Sequence, residues 1–487
     1  QCQGQLRNFP GQVSMLELCA GMGTSFLAAQ LLLGKDKVAM AGCWDVDPKL
    51  RPVLEFLHGH GSPAVHVGPD VGDIVRCDVA SFPPANVITA GPPCPPYSSM
   101  GNRAGLRDRR ARPFYKTIEI IAHQARRQQG RSRLLFFVIE NVEGILARSG
   151  GPNSPRHLDI LRDQMASLLP SNWAITYDVA NTCDLGLPQH RKRVYLIGRS
   201  SEVFPAWPPA GLRHFAGTVR AREIVERDEQ TGVPRTSRQK ANLNAFKTAL
   251  RSDMEDTRRA GQLAFVDISR DPTDRTVWKP SVTRLDECPC LTAAGPELHV
   301  FALGEGRGAL SLDKPLRLCE RAALQGFPKH FADFFAEVSG RRAFGNAMSV
   351  SVVGSVLARE LAYMFEHNRA RLSHLEGFLY IAPLLGQSIA SRGAKASRPR
   401  SSDGVPQESK ARRGPDIVAS FAGQGEGESQ TLEDFARFPA SPDSESDVAE
   451  SCRKATIAWG KSILEHWSSG AEGRATRPVT CPTTSHE

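Results

Sequence analysis

The sequence predicts an α/β protein built on a parallel sheet. Three features predict it: short apolar runs recur, each ends abruptly in polar or glycine-rich chemistry, and helical spacings lie between them. The first run, Val13–Leu18, breaks into Cys19-Ala20-Gly21-Met22-Gly23-Thr24. It is followed by Phe26, Leu27, Ala28, Leu31 and Leu32 at helical intervals, which reads as strand, glycine turn and helix. A second run, Val38 to Trp44, stops at Asp45-Val46-Asp47-Pro48. A third, Asn86 to Ala90, stops at Gly91-Pro92-Pro93-Cys94, and a fourth, Arg133 to Ile139, stops at Glu140-Asn141. Polar groups placed just after one strand after another mark the carboxyl edge of a parallel sheet, where ligands bind. Helical patterns over residues 113–129 and 157–169 supply crossovers, and Trp173 to Val179 with Arg193 to Gly198 read as a closing strand pair.

Beyond Gly198 no strong period survives until a helix at Leu316 to Leu324 and an amphipathic one at Ser349 to Phe365. The expected division is therefore a first catalytic part (1–199), a smaller inserted region (200–312), helices returning to the first part (313–390) and a tail (391–487). The tail turns basic and then acidic and Ser/Gly-rich, with too little apolar surface to offset its ordering entropy, so disorder is expected there. Within it Trp459, Ile463, Leu464 and Trp467 are spaced like one helix face, either a docking helix or incidental.

The chain carries 61 basic and 52 acidic residues, a formal net charge of +9. The excess is localised: between Gly101 and Arg133 stand ten basic side chains against Asp108 and Glu119, a surplus of eight. Such a run is either a solvated helix face or a polyanion contact, and its Arg-rich, Gly-interrupted character favours the second. No run of about 18 apolar residues and no signal-like start occurs, so a soluble, intracellular protein is expected and a membrane protein is not. The basic cluster from Arg398 to Arg413 fits a nuclear-import signal or a solvated linker. The eleven cysteines contain no CxxC pair, which argues against a disulfide framework and a metal site.

Four places carry chemistry. The Gly21-Met22-Gly23 turn admits a ligand close to a helix N-terminus, and Asp45 falls where a sugar hydroxyl would be bound; a plain tight turn is the alternative. Phe26 occupies the spacing of the third glycine of a dinucleotide fingerprint, so a nucleoside cofactor without a pyrophosphate, such as S-adenosylmethionine, fits better. Cys94 sits among prolines that fix φ, as a covalent nucleophile or as a small buried residue. Glu140, after the apolar Phe136-Phe137-Val138-Ile139, is a candidate proton donor or a surface cap. In Gln189-His190-Arg191-Lys192-Arg193, alternation sends Arg191 and Arg193 to one side, suited to a phosphate or a carbonyl oxygen.

In this order the motifs closely resemble those of the cytosine-5 DNA methyltransferases. Glu17-Leu18-Cys19-Ala20-Gly21-Met22-Gly23 is similar to the cofactor loop, Asp45-Val46-Asp47 to the ribose-binding segment and Gly72-Asp73-Ile74 to the adenine-contacting segment. Gly91-Pro92-Pro93-Cys94 resembles the nucleophile loop, Glu140-Asn141-Val142 the ENV motif, and residues 189–193 the QxRxR motif. Glu320 to Pro328 and Phe344 to Val350 are similar to the last two blocks. The resemblance implies a Rossmann-like, S-adenosylmethionine-dependent fold with a target-recognition region over 200–312. It places the cofactor against Cys19, Ala20, Gly21, Gly23, Asp45, Val46, Asp73, Ile74, Pro93 and Asn346. Double-stranded DNA would meet Gln189 and, on a catalytic loop after Cys94 whose Gly101 and Gly105 permit closure, Ser98, Arg103, Arg107, Arg109 and Arg110. Cys94 would attack carbon 6 of a flipped cytosine, Glu140 would hydrogen-bond ring nitrogen 3, and Arg191 and Arg193 would complete the catalytic set. The chain departs from the family at Cys19, usually Phe, and at Pro95, usually Gln. RNA is the second substrate the resemblance admits, since one relative methylates tRNA with the same motifs, although its Cys-Phe-Thr segment is absent here. A silent DNA-binding homologue is the third reading, opposed by the joint presence of Cys94, Glu140, Arg191 and Arg193.

Overall fold

The structure, a computed structural model, describes residues 12–97, 105–127, 133–204, 212, 219–227, 236–253, 260–273, 285–293, 297–305 and 309–367. The expected tail, with its tryptophan-bearing segment, lies outside the described residues.

A seven-stranded sheet organises the chain. Its strands are β1 (Val13–Leu18), β2 (Val38–Asp45), β3 (Val65–Val67), β4 (Val87–Ala90), β5 (Phe136–Val142), β6 (Trp173–Asn181) and β8 (Lys192–Ser200). Their order is β3-β2-β1-β4-β5-β8-β6. β3, β2, β1, β4 and β5 run parallel, whereas β8 lies antiparallel to both β5 and β6. The sheet is thus mixed, with the expected closing pair as its antiparallel end. Because β1 leads outward to β2 while β4 lies on its other side, the order reverses at β1, and a crevice opens there at the carboxyl edge.

Strand alternation builds a core on each face. Val13 and Met15 of β1 join Phe136 and Val138 of β5 on one side, where α1 (Thr24–Leu33) packs through Phe26, Leu27 and Ala28. Leu16, Leu18, Phe137 and Ile139 face the other side, under Phe114, Ile118 and Ile121 of a helix over Arg112–Arg126 and Leu161 and Met165 of one over His157–Leu168. The helix expected near the end of the chain is Val350–His367; its Val353, Val356 and Leu357 join the α1 core. A buried ion network ties that helix to the sheet. Arg199 of β8 holds Glu360 through two hydrogen bonds, 2.5 Å from Nε to Oε2 and 2.7 Å from Nη2 to Oε1. Arg359 reaches Asp178 of β6 at 2.6 Å and Glu360 at 2.9 Å.

Between residues 200 and 315 the structure has more order than the sequence pattern suggested. Strands β9 (Leu263–Asp267), β11 (Leu298–Leu303) and β12 (Leu310–Pro315) form an antiparallel sheet in the order β12-β11-β9. A helix over Ser237–Asp253 packs Leu243, Phe246 and Leu250 against Ala264, Val266 and Phe301 of that sheet. Its i, i+3, i+7 spacing was legible in the sequence but diluted by polar residues on every other face. Among the described residues, no helix is long and apolar enough to cross a membrane.

Candidate active site

The glycine turn follows β1 because three backbone positions there require it. Cys19, Gly21 and Gly23 all have positive φ, 52°, 56° and 69°. A Cβ on Gly23 would lie 2.7 Å from Leu57 Cδ1, whereas a Cβ on Gly21 would meet nothing within 4 Å, so the space beside Gly21 is open. Asp45 at the end of β2 holds the turn: its Oδ2 accepts from Gly21 N at 2.8 Å and its Oδ1 from Asp47 N at 2.9 Å. Burial pushes the Asp45 carboxyl up, and these hydrogen bonds pull it back. The next loop is locked to the same place, because a Cβ on Gly72 would fall 1.9 Å from the Asp45 carbonyl oxygen. Asp73 then caps a short turn by accepting from Val75 N at 3.0 Å. Burial raises the Cys19 thiol, and the charges of Asp45 and Asp73 raise it further, so the three loops converge. Val46 is 52% exposed beside them, an apolar surface for a flat ring. An open glycine turn, two carboxylates and an exposed apolar side chain at one crevice fit a nucleoside-bearing cofactor.

Sequence reasoning missed Glu17. In place of a capping side chain on α1, Glu17 Oε1 accepts from Ser25 N at 3.1 Å and Phe26 N at 3.2 Å. Burial raises its carboxyl from the ordinary 4.5 to about 7. A raised carboxyl stabilises the fold fully below the ordinary value, and that contribution is lost as pH rises through about 7. Urea unfolding should therefore find Glu17→Gln similar to wild type near pH 4.5 and more stable by about 3 kcal/mol at pH 8. A difference that stays flat with pH would reject this.

Cys94 follows β4 at the same edge. Its carbonyl accepts from Tyr97 N at 2.9 Å, and Gly105 N donates to Pro96 O at 3.0 Å, closing the loop on itself. Gly105, with φ +59°, lies so near His157 that a Cβ would fall 2.2 Å from the ring. From β5, Asn141 Nδ2 donates to Pro92 O at 3.1 Å and so ties the Pro-Pro-Cys segment to the neighbouring strand. Pairing of β5 with β8 puts Val142 opposite Arg193 and Glu140 opposite Tyr195, which makes Glu140 and Arg193 diagonal neighbours on one face. Arg193 Nε lies 3.2 Å from Glu140 Oε1, an oxygen that is buried and accepts no hydrogen bond among the described residues. Burial pushes the Cys94 thiol up, Glu140 adds to the push, and Arg193 and Arg191 pull the other way.

Two expectations are corrected. Arg191 lies beside Arg193, the two guanidinium groups meeting at the Cys290 sulfur, but it is engaged by backbone carbonyls rather than left for substrate. Its guanidinium is buried and donates to Leu291 O (2.7 Å), Gly345 O (3.2 Å) and Ala347 O (2.7 Å). Gln189 is fully buried rather than a nucleic-acid contact, donating to Leu324 O at 2.9 Å and accepting from Leu291 N at 3.3 Å. Both residues stitch the QxRxR segment to the last two family-like blocks, where Gln325 Nε2 in turn donates to Phe344 O at 2.7 Å. The reason is the short β7 (Gln189–His190), which stands outside the seven-stranded sheet, in a separate two-stranded pairing, before β8 begins. Asn346 is exposed at the end of a helix over Glu337–Asn346. Arg107, Arg109 and Arg110 are exposed, with Arg110 paired to Asp108 at 2.6 Å. Ser98 and Arg103 lie outside the described residues.

A sheet whose crevice opens between a glycine turn and a loop-fixed thiol is the frame of an α/β group-transfer enzyme. The family model for C-5 cytosine-specific DNA methylases matches residues 13–361. Type II methyltransferase M.NgoBI of Neisseria gonorrhoeae is 26% identical over 286 residues, 58% of this chain and 76% of the relative. Type II methyltransferase M.DsaV of Dactylococcopsis salina is 23% identical over 366 residues, 72% of this chain and 87% of the relative. The solved structure of the Entamoeba histolytica methyltransferase EhMeth overlaps at a TM-score of 0.47, with 14% identity, 73% of this chain and 98% of that one. The chain belongs to the C-5 cytosine-specific DNA methylase family: it is a methyltransferase that uses S-adenosylmethionine to methylate carbon 5 of cytosine in DNA.

Proposed function

We propose that Cys94 is the nucleophile of this reaction, and that Glu140 and Arg193 bind the flipped cytosine while Arg191 holds the site together. The observation that carries the assignment is the Glu140–Arg193 pair, buried beside the Cys94 loop with one carboxylate oxygen still without a hydrogen bond among the described residues. A cytosine stacked in a duplex hides its ring face, so it must leave the stack before a thiolate can add to carbon 6. That addition pushes electron density onto ring nitrogen 3 and the carbonyl oxygen. Glu140 hydrogen-bonds the nitrogen and Arg193 holds the oxygen, which stabilises the charge where it develops. Carbon 5 becomes nucleophilic as a result. Cys19, Ala20, Gly21, Gly23, Asp45, Val46, Asp73, Ile74, Pro93 and Asn346 would hold S-adenosylmethionine, which would supply an electrophilic methyl. Loss of the carbon 5 proton then expels Cys94. Because burial and Glu140 hold the Cys94 thiol up, the rate should rise with pH as the thiolate forms.

Residues 200–312 serve in this reading as the recognition region, and the exposed Arg107 and Arg109 as phosphate contacts. Transfer of labelled methyl to duplex DNA and to tRNA tests the substrate, with label expected in DNA; label in tRNA alone would overturn the DNA reading for this chain. Arg107→Ala with Arg109→Ala should weaken DNA binding and flatten the slope of log affinity against log salt by about 2. An unchanged slope removes the phosphate assignment.

A further inference from the structure

Cys290 lies in none of the family-like blocks. It follows β10 (Cys288–Pro289), which pairs in parallel with β7 in the register Cys288 with Gln189 and Pro289 with His190. The next residue on each strand brings Cys290 alongside Arg191. The strap is pinned on both sides of the cysteine: Cys288 N donates to Pro188 O at 2.8 Å, and Leu291 N donates to Gln189 Oε1 at 3.3 Å. From this position the Cys290 sulfur lies 3.6 Å from Arg191 Nη1 and 3.6 Å from Arg193 Nη2. Arg193 therefore has three holds, the Cys290 sulfur, Glu140 through Nε, and the Lys192 carbonyl through Nη1 at 2.7 Å. Of these, the Lys192 carbonyl belongs to the adjacent residue and cannot aim the guanidinium across the site. Glu140 is needed for the substrate. The sulfur is the hold that chemistry leaves free. Burial would push the Cys290 thiol up, but the two guanidinium groups outweigh it and bring the thiol below its ordinary value. A sulfur set between two fixed guanidinium groups and within reach of both ties one to the other and keeps both in place.

We propose that Cys290 is a positioning residue for methyl transfer: its sulfur, shared by Arg191 and Arg193, holds the Arg193 guanidinium against Glu140 at the edge where Cys94 reacts. The proposal rests on the reading that Cys94, Glu140 and Arg193 perform the chemistry. It also means that the segment between residues 200 and 312 completes the catalytic cluster as well as reading DNA.

The test uses the full chain, S-adenosylmethionine and a duplex substrate, with kcat and KM measured across pH. Cys290→Ala should lower kcat by about 10- to 100-fold, as expected when a reacting group is misplaced by an ångström or so, with both KM values changed less than about threefold. Cys290→Ser keeps the size and accepts hydrogen bonds but stays neutral. It should fold as wild type, recover part of kcat, and lose the limb of the pH profile that Cys290 ionisation contributes. In an Arg193→Ala background, Cys290→Ala should cause no further loss, because it acts through that arginine. Wild-type kcat and pH profile in both variants, or losses that simply multiply in the double variant, would overturn the proposal. If Cys290→Ala does not fold, the Cys290→Ser pH profile decides alone. Cys94→Ala runs alongside: activity retained there would refute the underlying site reading, whereas an inactive Cys94→Ala with a normal Cys290→Ala refutes only the positioning role.

Discussion

Cys94→Ala should abolish methyl transfer, by about 10⁴-fold or more, while leaving the fold and duplex binding intact. The side chain lost is small and only half-buried, and the loop does not depend on it. Its main-chain bonds come from Tyr97 N to the Cys94 carbonyl, Gly105 N to Pro96 O, and Asn141 to Pro92 O, all of which survive the substitution. What disappears is the only group in the assignment that can bond to carbon 6, and without that bond carbon 5 is not activated. Cys94→Ser should be nearly as poor, since a hydroxyl held in the same half-buried position near Glu140 has far less anion available than a thiol. Substitution of fluorine for the carbon 5 hydrogen gives a direct readout: with no proton to lose, wild type should remain bonded to such a duplex and run as a heavier species on a denaturing gel. Cys94→Ala should give none. A trapped species in Cys94→Ala would place the nucleophile elsewhere.

The largest loss of stability is expected for Glu360→Ala. Glu360 is fully buried, accepts two hydrogen bonds from Arg199, and lies 2.9 Å from Arg359. The two arginines hold its carboxyl below the usual carboxylate range despite burial, so it is an anion in the folded state. Its removal takes from the buried Arg199 the carboxylate that accepts two of its hydrogen bonds, and from Arg359 one of the carboxylates it reaches, Asp178 being another. Breaking one side of a buried ion pair typically costs about 3–5 kcal/mol, far more than the pair itself contributes against an apolar replacement. Urea unfolding should show that loss. Because a depressed carboxylate stabilises above its unfolded value and stops doing so as pH falls through its folded value, the gap between wild type and variant should narrow in acid. A loss below about 1 kcal/mol, or one indifferent to pH, would mean that water reaches the network.

How much of this was legible depended on what each residue touches. Where chemistry stands at a strand end, residue type and position sufficed to place it: the glycine turn after β1, Asp45 at the end of β2, Cys94 after β4 and Glu140 near the end of β5 all stand at the expected edge. The placement of Arg191 and Arg193 on one side was legible, but the burial of Gln189 and the carbonyl partners of Arg191 were not, because a motif's letters do not distinguish a side chain that meets substrate from one that satisfies buried carbonyls. Arg191 bonds to groups 100 to 156 residues away, and no local pattern announces such partners. Glu17 was overlooked for a related reason: within Val13–Leu18 it looks like the polar member of an alternating strand, whereas its partners begin eight residues on, at the first turn of the next helix. Cys290 had no signal at all, since its meaning comes from pairing with β7 across the sequence. The helix over Ser237–Asp253 could have been found from Leu243, Phe246 and Leu250 alone.

The long reach of Arg191 also sets a timetable for synthesis. Its last partner, the Ala347 carbonyl, is made 156 residues after the arginine itself. At about 5–20 residues per second, the ribosome supplies it about 8–31 s later. During that interval the sheet can already pair, but a guanidinium destined for burial stands unsatisfied in the unfinished protein. A nascent chain stalled between residues 200 and 340 should therefore expose this cation and the apolar seam beside it, and be a ready client for chaperones and proteases. Catalytic competence arrives only when the final helices close over it.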